Sequence, residues 1–482
     1  MSLSKNSSRR WWVLAVLSLT QLVVVLDGTI VNIALPQAQL ELGFSDSQRQ
    51  WVITAYALAF GALLLLGGRI ADYWGRKRTY LTGMIGFGIA SVYAGLAQTG
   101  IELIVGRGLQ GVFAAVLAPA ALSLLTVTFT HGRERNTAFA IFGTVAGTGA
   151  AIGLVLGGIL TEFADWRWCL LVNIFFVILG LIGGLLFLSE SKADGDNKYD
   201  VWGAITVTLG LGTLVYGFSL AEQGWGSVGT IAFLSMGLVL LALFVWIETK
   251  VAQPLLPLHI LTHRVRAGAL GLQAIAGIVM IAAMLYLALH LQIVLGLPPL
   301  QAGLATLPMT VAIMAMAPIA TKLLSDVGPR LILIGGPLLV AGGLVYLSRI
   351  TADGNYFTQV LPALVIMGCG MGFVFVPLQN LALLGVAPSD AGAASATANS
   401  AMQIGGSIGV SVLTALYVSA AGATDSLGGQ PLLAAFTKGY SATFIAAAIA
   451  MVAGSGIAAV CIRGPKEELM PHLKSESLVH AG

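Results

Sequence analysis

Long apolar runs recur along almost the whole chain, with only short polar segments between them. A helix needs about 20 largely apolar residues to cross the hydrocarbon core of a bilayer. Fourteen runs are suitable, at residues 11–35, 51–69, 79–98, 101–128, 137–161, 168–189, 201–221, 229–248, 265–293, 301–322, 331–350, 357–384, 392–419 and 439–463. The sequence therefore predicts an all-α, polytopic membrane protein with 14 transmembrane helices, and the lipid bilayer as its main surrounding.

Composition narrows the classes of function. Charged residues make up 9% of the chain, whereas soluble domains carry about 25%. The sequence has no GxxxxGK[ST] loop, nucleophile–base pair or metal cluster. Its three cysteines are far apart and suggest neither a disulfide framework nor a metal site. We therefore expect no enzyme, no cofactor and no nucleic-acid partner, and an energy source in an ion gradient or in the gradient of the substrate.

The basic residues predict the orientation in the membrane. If both termini are cytoplasmic, 19 of the 24 lysines and arginines fall on the cytoplasmic side and four on the other, with Arg107 inside a helix. The run from Trp11 is too long for a signal-peptide core. These features predict a multi-pass protein of the plasma or inner membrane with both termini in the cytoplasm. Whether it has a periplasmic adaptor is left open.

A weak internal repeat predicts two similar halves. Residues 68–78 and 322–330 each combine an acid, a glycine and a base after the second helix of their half. The predicted organisation is a cytoplasmic tail, a six-helix bundle, a linker with two inserted transmembrane helices, a second six-helix bundle and a cytoplasmic tail, at residues 1–10, 11–189, 190–264, 265–463 and 464–482.

Asp27 lies in the middle of the first apolar run. A charged side chain in hydrocarbon costs at least about 2.5–3.5 kcal/mol, so it needs a polar cavity, a partner or a proton. Burial disfavours the charged form of a carboxylate and a nearby cation favours it, so a site between these two effects can switch protonation. We interpret Asp27 as the proton-coupling site of a membrane transporter.

Arg107, in the fourth run, must also find a counter-charge or backbone carbonyls. It can form a structural ion pair or extend toward the nearby helix end. Arg107 and Asp27 lie on different helices, and the sequence does not show that they touch.

The polar segment between helices two and three is the most specific motif. Glycines at 68 and 75 allow tight turns, and Asp72 can cap a helix N-terminus. The two bases at 76 and 77 can pair with Asp72 or with the C-terminus of a neighbouring helix. We interpret this segment as a gating loop formed by Gly68, Asp72, Gly75, Arg76 and Lys77. Ordinary anchoring by basic residues is the alternative.

These three segments resemble motifs of the Major Facilitator Superfamily. Residues 68–78 resemble its signature GxLaDxxGrk, residues 26–36 the first-helix motif of its fourteen-helix drug:proton antiporters, and residues 107–115 the fourth-helix motif RxxQGxxAA. The resemblance implies two six-helix halves with an inserted helix pair. It also implies alternating access, a role for Asp27 and Arg107 in proton coupling, and a loop that latches the outward-facing state.

Helix five carries four glycines that can let another helix approach closely: Gly149, Gly153, Gly157 and Gly158. The segment resembles the antiporter motif GPxxGG, but Leu154 replaces its proline. Phe175 replaces a second proline that is usual in helix six of the family. Both departures leave other modes of transport open.

Several polar and aromatic residues of the apolar runs are candidates for binding a small-molecule substrate between the two halves, near the bilayer midplane. They are Gln21, Asn32, Tyr56, Gln110, Asn173, Tyr286, Gln292, Asn380, Asn399 and Gln403. Each such residue is more often an interhelical hydrogen-bonding group than a ligand contact. His290 could titrate near neutral pH, but its place toward the non-cytoplasmic end of a helix favours an ordinary interfacial histidine.

The sequence predicts a proton-coupled exporter of amphipathic drugs or toxic compounds, with cationic ones as candidates. A transporter of the same fold for a specific metabolite or lipid is the main alternative. A membrane receptor or scaffold without transport activity is the third.

Overall fold

A computed structural model describes residues 2–130, 132–192, 200–221, 224–251, 253–256, 258–386, 391–422 and 427–469. The first eight helices are α1 (Ser2–Leu42), α2 (Asp46–Trp74), α3 (Arg76–Gly95), α4 (Gly100–Thr128), α5 (Gly132–Phe163), α6 (Trp168–Phe187), α7 (Val201–Leu220) and α8 (Val228–Glu248). After them come the short α9 (His259–Thr262), α10 (Arg264–Gly277), α11 (Met284–Leu289), α12 (Pro299–Val327), α13 (Pro329–Leu347), α14 (Leu361–Ala382), α15 (Ala391–Ala421), α16 (Gly429–Cys461) and the short α17 (Lys466–Leu469).

Each of the fourteen predicted runs forms a helix, which confirms the predicted fold class. In the described part of the chain, 13 helices are long and apolar enough to cross a membrane. The predicted run that is not among these 13 helices is the third one, which forms α3. This helix begins with three basic residues and is rich in glycine. Its small residues pack against α4 and α6, so one face of α3 is buried in the bundle, while Ile85, Ile89 and Tyr93 are exposed on the other.

The ninth predicted helix changes its hydrogen-bonding pattern along its length. Two π-helical segments, Ile278–Ala283 and His290–Val294, follow α10 and α11. A third π segment, Tyr356–Val360, precedes α14. Such wide turns leave the regular backbone pattern and are frequent at functional sites.

The first helix is longer than the sequence predicts, since α1 includes residues 2–10 and continues through Pro36 to Leu42. A capping box at Ser45 then begins α2, because the Ser45 hydroxyl accepts from Gln48 N and the Gln48 side chain accepts from Ser45 N. The predicted C-terminal tail lies outside the described residues from position 470 onward.

Contacts divide the chain into two compact units. Unit 1 comprises Met1–Gly217, Gly226–Leu255 and Leu297–Leu304, and unit 2 comprises Phe218–Trp225, Leu256–Gly296 and Ala305–Gly482. Within unit 1, α1 packs against α4, α5 and α6, while α4 packs against α2 and α3. Within unit 2, α10 packs against α14, α15 and α16, and α13 packs against α14 and α16. The domain boundaries given by the sequence stay predictions.

Candidate functional site

The carboxylate of Asp27 is fully enclosed within unit 1, at 0% exposure. It lies midway along α1, where the Thr29 hydroxyl donates to the carbonyls of Val25 and Leu26 and keeps its own polar group satisfied. Gly28 gives space on the adjacent face, since a Cβ there would lie 3.7 Å from Tyr56 Cε1. The helix therefore presents one charged group to the interior of the bundle.

Arg107 on α4 supplies the opposite charge. Its Nη1 lies 2.6 Å from Asp27 Oδ2, and the side chain is 1% exposed. Its Nε donates to Val52 O at 3.2 Å, and its Nη1 also donates to Gln110 Oε1 at 2.8 Å. The guanidinium lies over the ring of Tyr56, 4.4 Å from the ring centroid. Arg107 thus points into the bundle and not toward the helix end, which removes the interpretation of a side chain reaching for the interface.

Close packing of α4 against its neighbours allows the Arg107 side chain to contact both α1 and α2. A Cβ on Gly106 would lie 2.6 Å from Ala94 Cβ on α3, and a Cβ on Gly111 would lie 3.0 Å from Ala59 Cβ on α2. Both glycines bring the backbone of α4 against its neighbours. The arginine between them can therefore bond a backbone carbonyl of α2 and a carboxylate of α1 at once.

Two amides complete the surroundings of the carboxylate. Gln110 Nε2 donates to Asp27 Oδ1 at 2.9 Å, and Asn173 Nδ2 on α6 donates to the same oxygen at 2.6 Å. Gln110 also donates to the Ser91 hydroxyl on α3, which in turn donates to Phe87 O. We call Asp27, Arg107, Gln110 and Asn173 the carboxylate network.

The network suits an ionised carboxylate. An ionised carboxylate only accepts hydrogen bonds, whereas a protonated carboxyl also donates one. All the side-chain groups bonded to Asp27 are donors. A proton arriving at Asp27 would therefore break the ion pair and require one neighbour to become an acceptor.

Asn173 has an atom that can take this role. Its Oδ1 is buried and has no hydrogen-bond partner among the described residues. A half-turn of the amide would bring this oxygen to the place of Nδ2, where it could accept from a protonated carboxyl. Asn173 can thus match either protonation state of Asp27.

Of the other candidates of unit 1, Tyr56 contacts this network. The Tyr56 hydroxyl donates to Val24 O at 3.0 Å, which fixes the ring that covers Arg107. Asn32, more than one helical turn after Asp27, is 6% exposed, and its Oδ1 is unpartnered among the described residues. Gln21 is half-buried on the same helix.

The glycines of helix five pack against α1, the helix that carries Asp27. Gly149 faces Val25, Gly153 faces Leu26 and Thr29, and a Cβ on Gly157 would lie 2.8 Å from Ile30 O. Gly158 faces the backbone of Leu300, within unit 1. The close approach of α5 therefore helps to fix the position of α1, which carries Asp27.

The predicted gating loop is mostly helical, which corrects two expectations. Gly68 lies inside α2 and makes no turn, whereas Gly75 joins α2 to α3 with φ of 123°, a conformation that favours glycine. Asp72 caps no helix. Instead, its carboxylate pairs with Arg76 Nη2 at 2.8 Å, one turn further along the chain.

Glu190, which the sequence analysis missed, caps α3. Its two carboxylate oxygens accept from the backbone N–H groups of Lys77 and Arg78, each at 3.1 Å. A Cβ on Gly75 would lie 2.7 Å from Glu190 Oε1, so the glycine also provides space. The Lys77 ammonium donates to Leu185 O and Leu188 O at the end of α6. This pairing with the C-terminus of a neighbouring helix is one of the two that the sequence suggested.

The remaining candidates belong to unit 2. Tyr286 Oη and Thr414 Oγ1 share a hydrogen bond of 2.5 Å in the interior of the unit. Asn399 donates to Ser395 O on its own helix, Gln403 is half-buried and Asn380 is exposed. Gln292 has a buried Nε2 without a partner among the described residues. These residues are spread over several helices and define no shared site.

The structure places His290 inside the bundle. Its side chain is 0% exposed, and the ring of Tyr440 on α16 meets it edge-on. The sequence places it near a helix end, but it does not reveal that another helix packs over that end.

Comparisons with known proteins match the chain to a family. Residues 17–410 match the profile of the Major Facilitator Superfamily. The chain is 44% identical to the puromycin resistance protein of Streptomyces alboniger over 86% of this chain and 83% of that protein. It is 36% identical to the cephamycin export protein of Amycolatopsis lactamdurans, over 89% and 88% respectively.

Solved structures agree on the fold. A bacterial homologue of the human lysosomal transporter Spinster, in an inward-facing and unoccupied conformation, matches with a TM-score of 0.63 at 15% identity. The match covers 96% of this chain and 98% of that one. At this identity the likeness concerns the fold alone.

Proposed function

Because the chain belongs to the Major Facilitator Superfamily, and is a multi-pass transporter and not an enzyme, we propose that it exports antibiotic-like compounds in exchange for protons. Asp27 binds and releases the proton, and Arg107 responds to its charge. The protein alternates between two states, in one of which Asp27 is ionised and in the other protonated.

The buried ion pair is the observation that supports this proposal most strongly. Within hydrocarbon an ionisable residue is a functional-site candidate by default, and its partner is part of the hypothesis. Arg107 Nη1 and Asp27 Oδ2 lie 2.6 Å apart, and both side chains are almost fully excluded from solvent. Protonation of Asp27 removes the charge that holds Arg107, so the guanidinium keeps as hydrogen-bond partners Val52 O, the backbone carbonyl of Asp27 and the Gln110 side chain. One proton thereby changes the contacts between α1 and α4.

Asn173 makes the exchange of protonation states less costly. When Asp27 is ionised, Asn173 donates through Nδ2, and when Asp27 is protonated, the amide turns and accepts through Oδ1. A buried polar group left without a partner costs about 1–3 kcal/mol. A residue that can either donate or accept keeps the carboxyl group of Asp27 hydrogen-bonded in both states.

The end of α2 supplies the proposed latch. The Asp72–Arg76 pair, the Lys77 contacts and the Glu190 cap join α2, α3 and the end of α6 into one structure. We propose that these contacts hold in one transport state and rearrange in the other. The pair at Asp72 is partly exposed, at 34% for its side chain, so it can open at a small cost.

The names of the relatives support a proposal for the substrate class. The names of two similar proteins refer to puromycin resistance and to cephamycin export. Puromycin, the compound named for the more similar of these two, is therefore the first probe. We propose an amphipathic antibiotic or related toxic compound as the physiological substrate.

Puromycin accumulation in an efflux-deficient bacterium tests the proposal. Cells that express the protein are loaded with labelled puromycin, with and without a protonophore. Export should lower the accumulated puromycin, and the protonophore should remove the difference from cells that lack the protein. Asp27→Asn should lose this protonophore-sensitive export, since the substituted side chain cannot exchange a proton.

Asp353→Asn is the matched control, because it makes the same chemical change at an exposed turn of unit 2. It should export as the unchanged protein does. Protonophore-sensitive export that persists at full rate in Asp27→Asn would remove Asp27 from the mechanism. Export that a protonophore does not alter would contradict proton coupling itself.

A further inference from the structure

His290 is a buried titratable group that the carboxylate network does not use. Its side chain is 0% exposed, and neither Nδ1 nor Nε2 has a hydrogen-bond partner within the described part of the chain. Each buried polar atom without a partner costs about 1–3 kcal/mol. An unsatisfied group of this kind in a well-packed interior calls for an explanation.

The imidazole lies against an aromatic cluster inside unit 2. We call it the tyrosine cluster, formed by Tyr286, Tyr417 and Tyr440. His290 meets the ring of Tyr440 edge-on, with 6.1 Å between ring centroids, and Tyr440 stacks on Tyr417 at 5.4 Å. The cluster thus joins the segment around His290 to α15 and α16.

No fixed charge in these elements faces the imidazole. The tyrosines are the titratable groups that pack around it, and α15 carries no charged residue. The single charged residue of α16, Lys438, is exposed. Arg264 and Arg266, the other charged residues of the same span, lie in the first turn of α10. A proton on His290 would therefore be an uncompensated buried charge, unless water or a new partner reached it.

The backbone at His290 is also irregular. His290 begins the π-helical segment His290–Val294, which also contains the unpartnered Nε2 of Gln292. Wide π turns inside helices are frequent at functional sites. This segment therefore combines unsatisfied polar groups with a backbone that departs from the regular pattern.

Ring packing alone is the alternative. A phenylalanine would fill the same space and would leave no buried nitrogen unsatisfied. The chain instead has a histidine with two unsatisfied nitrogens at this position. An imidazole is the side chain whose charge changes between about pH 5 and pH 8.

We propose that His290 is a second proton-binding site of the protein, which takes its proton when the tyrosine cluster opens to water. In the closed arrangement described here the imidazole is neutral. Protonation creates a charge that the closed cluster cannot accommodate, so the bound proton holds the cluster open. This inference rests on the proton coupling proposed above and adds a second proton to the transport cycle.

Direct titration tests the site without any transport substrate. Full-length protein in lipid nanodiscs, with ¹⁵N-labelled histidine, is followed by magnetic resonance as the pH is lowered. The His290 signal is identified by its absence in His290→Phe, which keeps a ring in the cluster. It should change from neutral to charged between about pH 5 and pH 8. A His290 signal that stays neutral over this range, while the other histidines titrate, would overturn the proposal.

Transport of puromycin gives a second readout, with His263→Gln as the control because His263 is exposed. The ratio of export at acidic and alkaline pH should fall about threefold or more in both His290→Phe and His290→Gln, and stay unchanged in the control. An unchanged ratio in His290→Phe would mean that only the ring matters and would contradict the proposal. Puromycin export without any pH dependence in the unaltered protein would instead refute the proposed proton coupling, and the titration would still decide the case of His290.

Discussion

The buried pair between Asp27 and Arg107 gives a stability prediction that can be worked out from its geometry. Both side chains are at most 1% exposed and lie 2.6 Å apart. Removing one partner of such a pair leaves an uncompensated buried charge and costs about 3–5 kcal/mol. In Asp27→Asn, Gln110 and Asn173 can still donate to the new amide oxygen, so the loss falls near 3 kcal/mol, the lower end of this range.

A second substitution should recover much of this loss. Asp27→Asn combined with Arg107→Gln removes both charges and leaves groups that can hydrogen-bond to each other. Replacing a whole buried pair is often close to neutral for stability. The two substitutions should therefore couple favourably by about 2–3 kcal/mol, while transport stays lost in the double variant.

Unfolding of the purified protein in mixed micelles, followed by the fluorescence of its nine tryptophans, measures these free energies. Asp72→Asn is the control, because it breaks a partly exposed pair that is expected to contribute about 1 kcal/mol or less. An Asp27→Asn variant no less stable than Asp72→Asn would refute the ion pair. So would strictly additive effects in the double variant.

Three further outcomes follow from the packing. Asn173→Leu should lower puromycin export more than protein stability, since it removes a group that serves both protonation states of Asp27. Export rates and free energies of unfolding measured on the same preparation check this prediction. Equal losses in the two quantities would contradict it. Gly153→Ala should destabilise by about 1–3 kcal/mol because its Cβ would meet Leu26 and Thr29, whereas Gly147→Ala, with open space around it, should cause no loss of stability in the same assay. Glu190→Ala should cost about 0.5–2 kcal/mol through loss of the cap on α3, and Glu190→Gln, which keeps one acceptor oxygen, should recover part of it.

The fold was predictable because bilayer thickness dictates helix length, and the apolar runs report that length directly. The charged residues at 27 and 107 were recognisable for the same reason, since hydrocarbon makes such charges costly. The contact between Asp27 and Arg107, in contrast, could not be predicted from the sequence. It depends on the glycines that bring α4 against α2 and α3, and hydropathy carries no information on which helices are neighbours.

Long-range partners explain what the sequence analysis missed. Glu190 caps α3 from 113 residues beyond Lys77, and a charged stretch after helix six was the only signal for it. Glycine and charge are common in turns and therefore favour a loop for the gating segment, yet α2 continues through Gly68. The place of His290 near a helix end favours an interfacial histidine, but hydropathy does not reveal that α16 packs over this segment and buries the side chain.

Infrared difference spectroscopy of the carboxyl group tests the central claim most directly, namely that Asp27 gains and loses a proton in place within the membrane. Protein in lipid nanodiscs is compared at acidic and alkaline pH, for the unaltered chain and for Asp27→Asn. The other carboxylates also give protonated-carboxyl stretching bands on acidification, so the acid-minus-alkaline difference spectra of the two proteins are compared. We expect one such band in the spectrum of the unaltered protein that is missing from that of Asp27→Asn. Identical difference spectra of the two proteins would contradict the account.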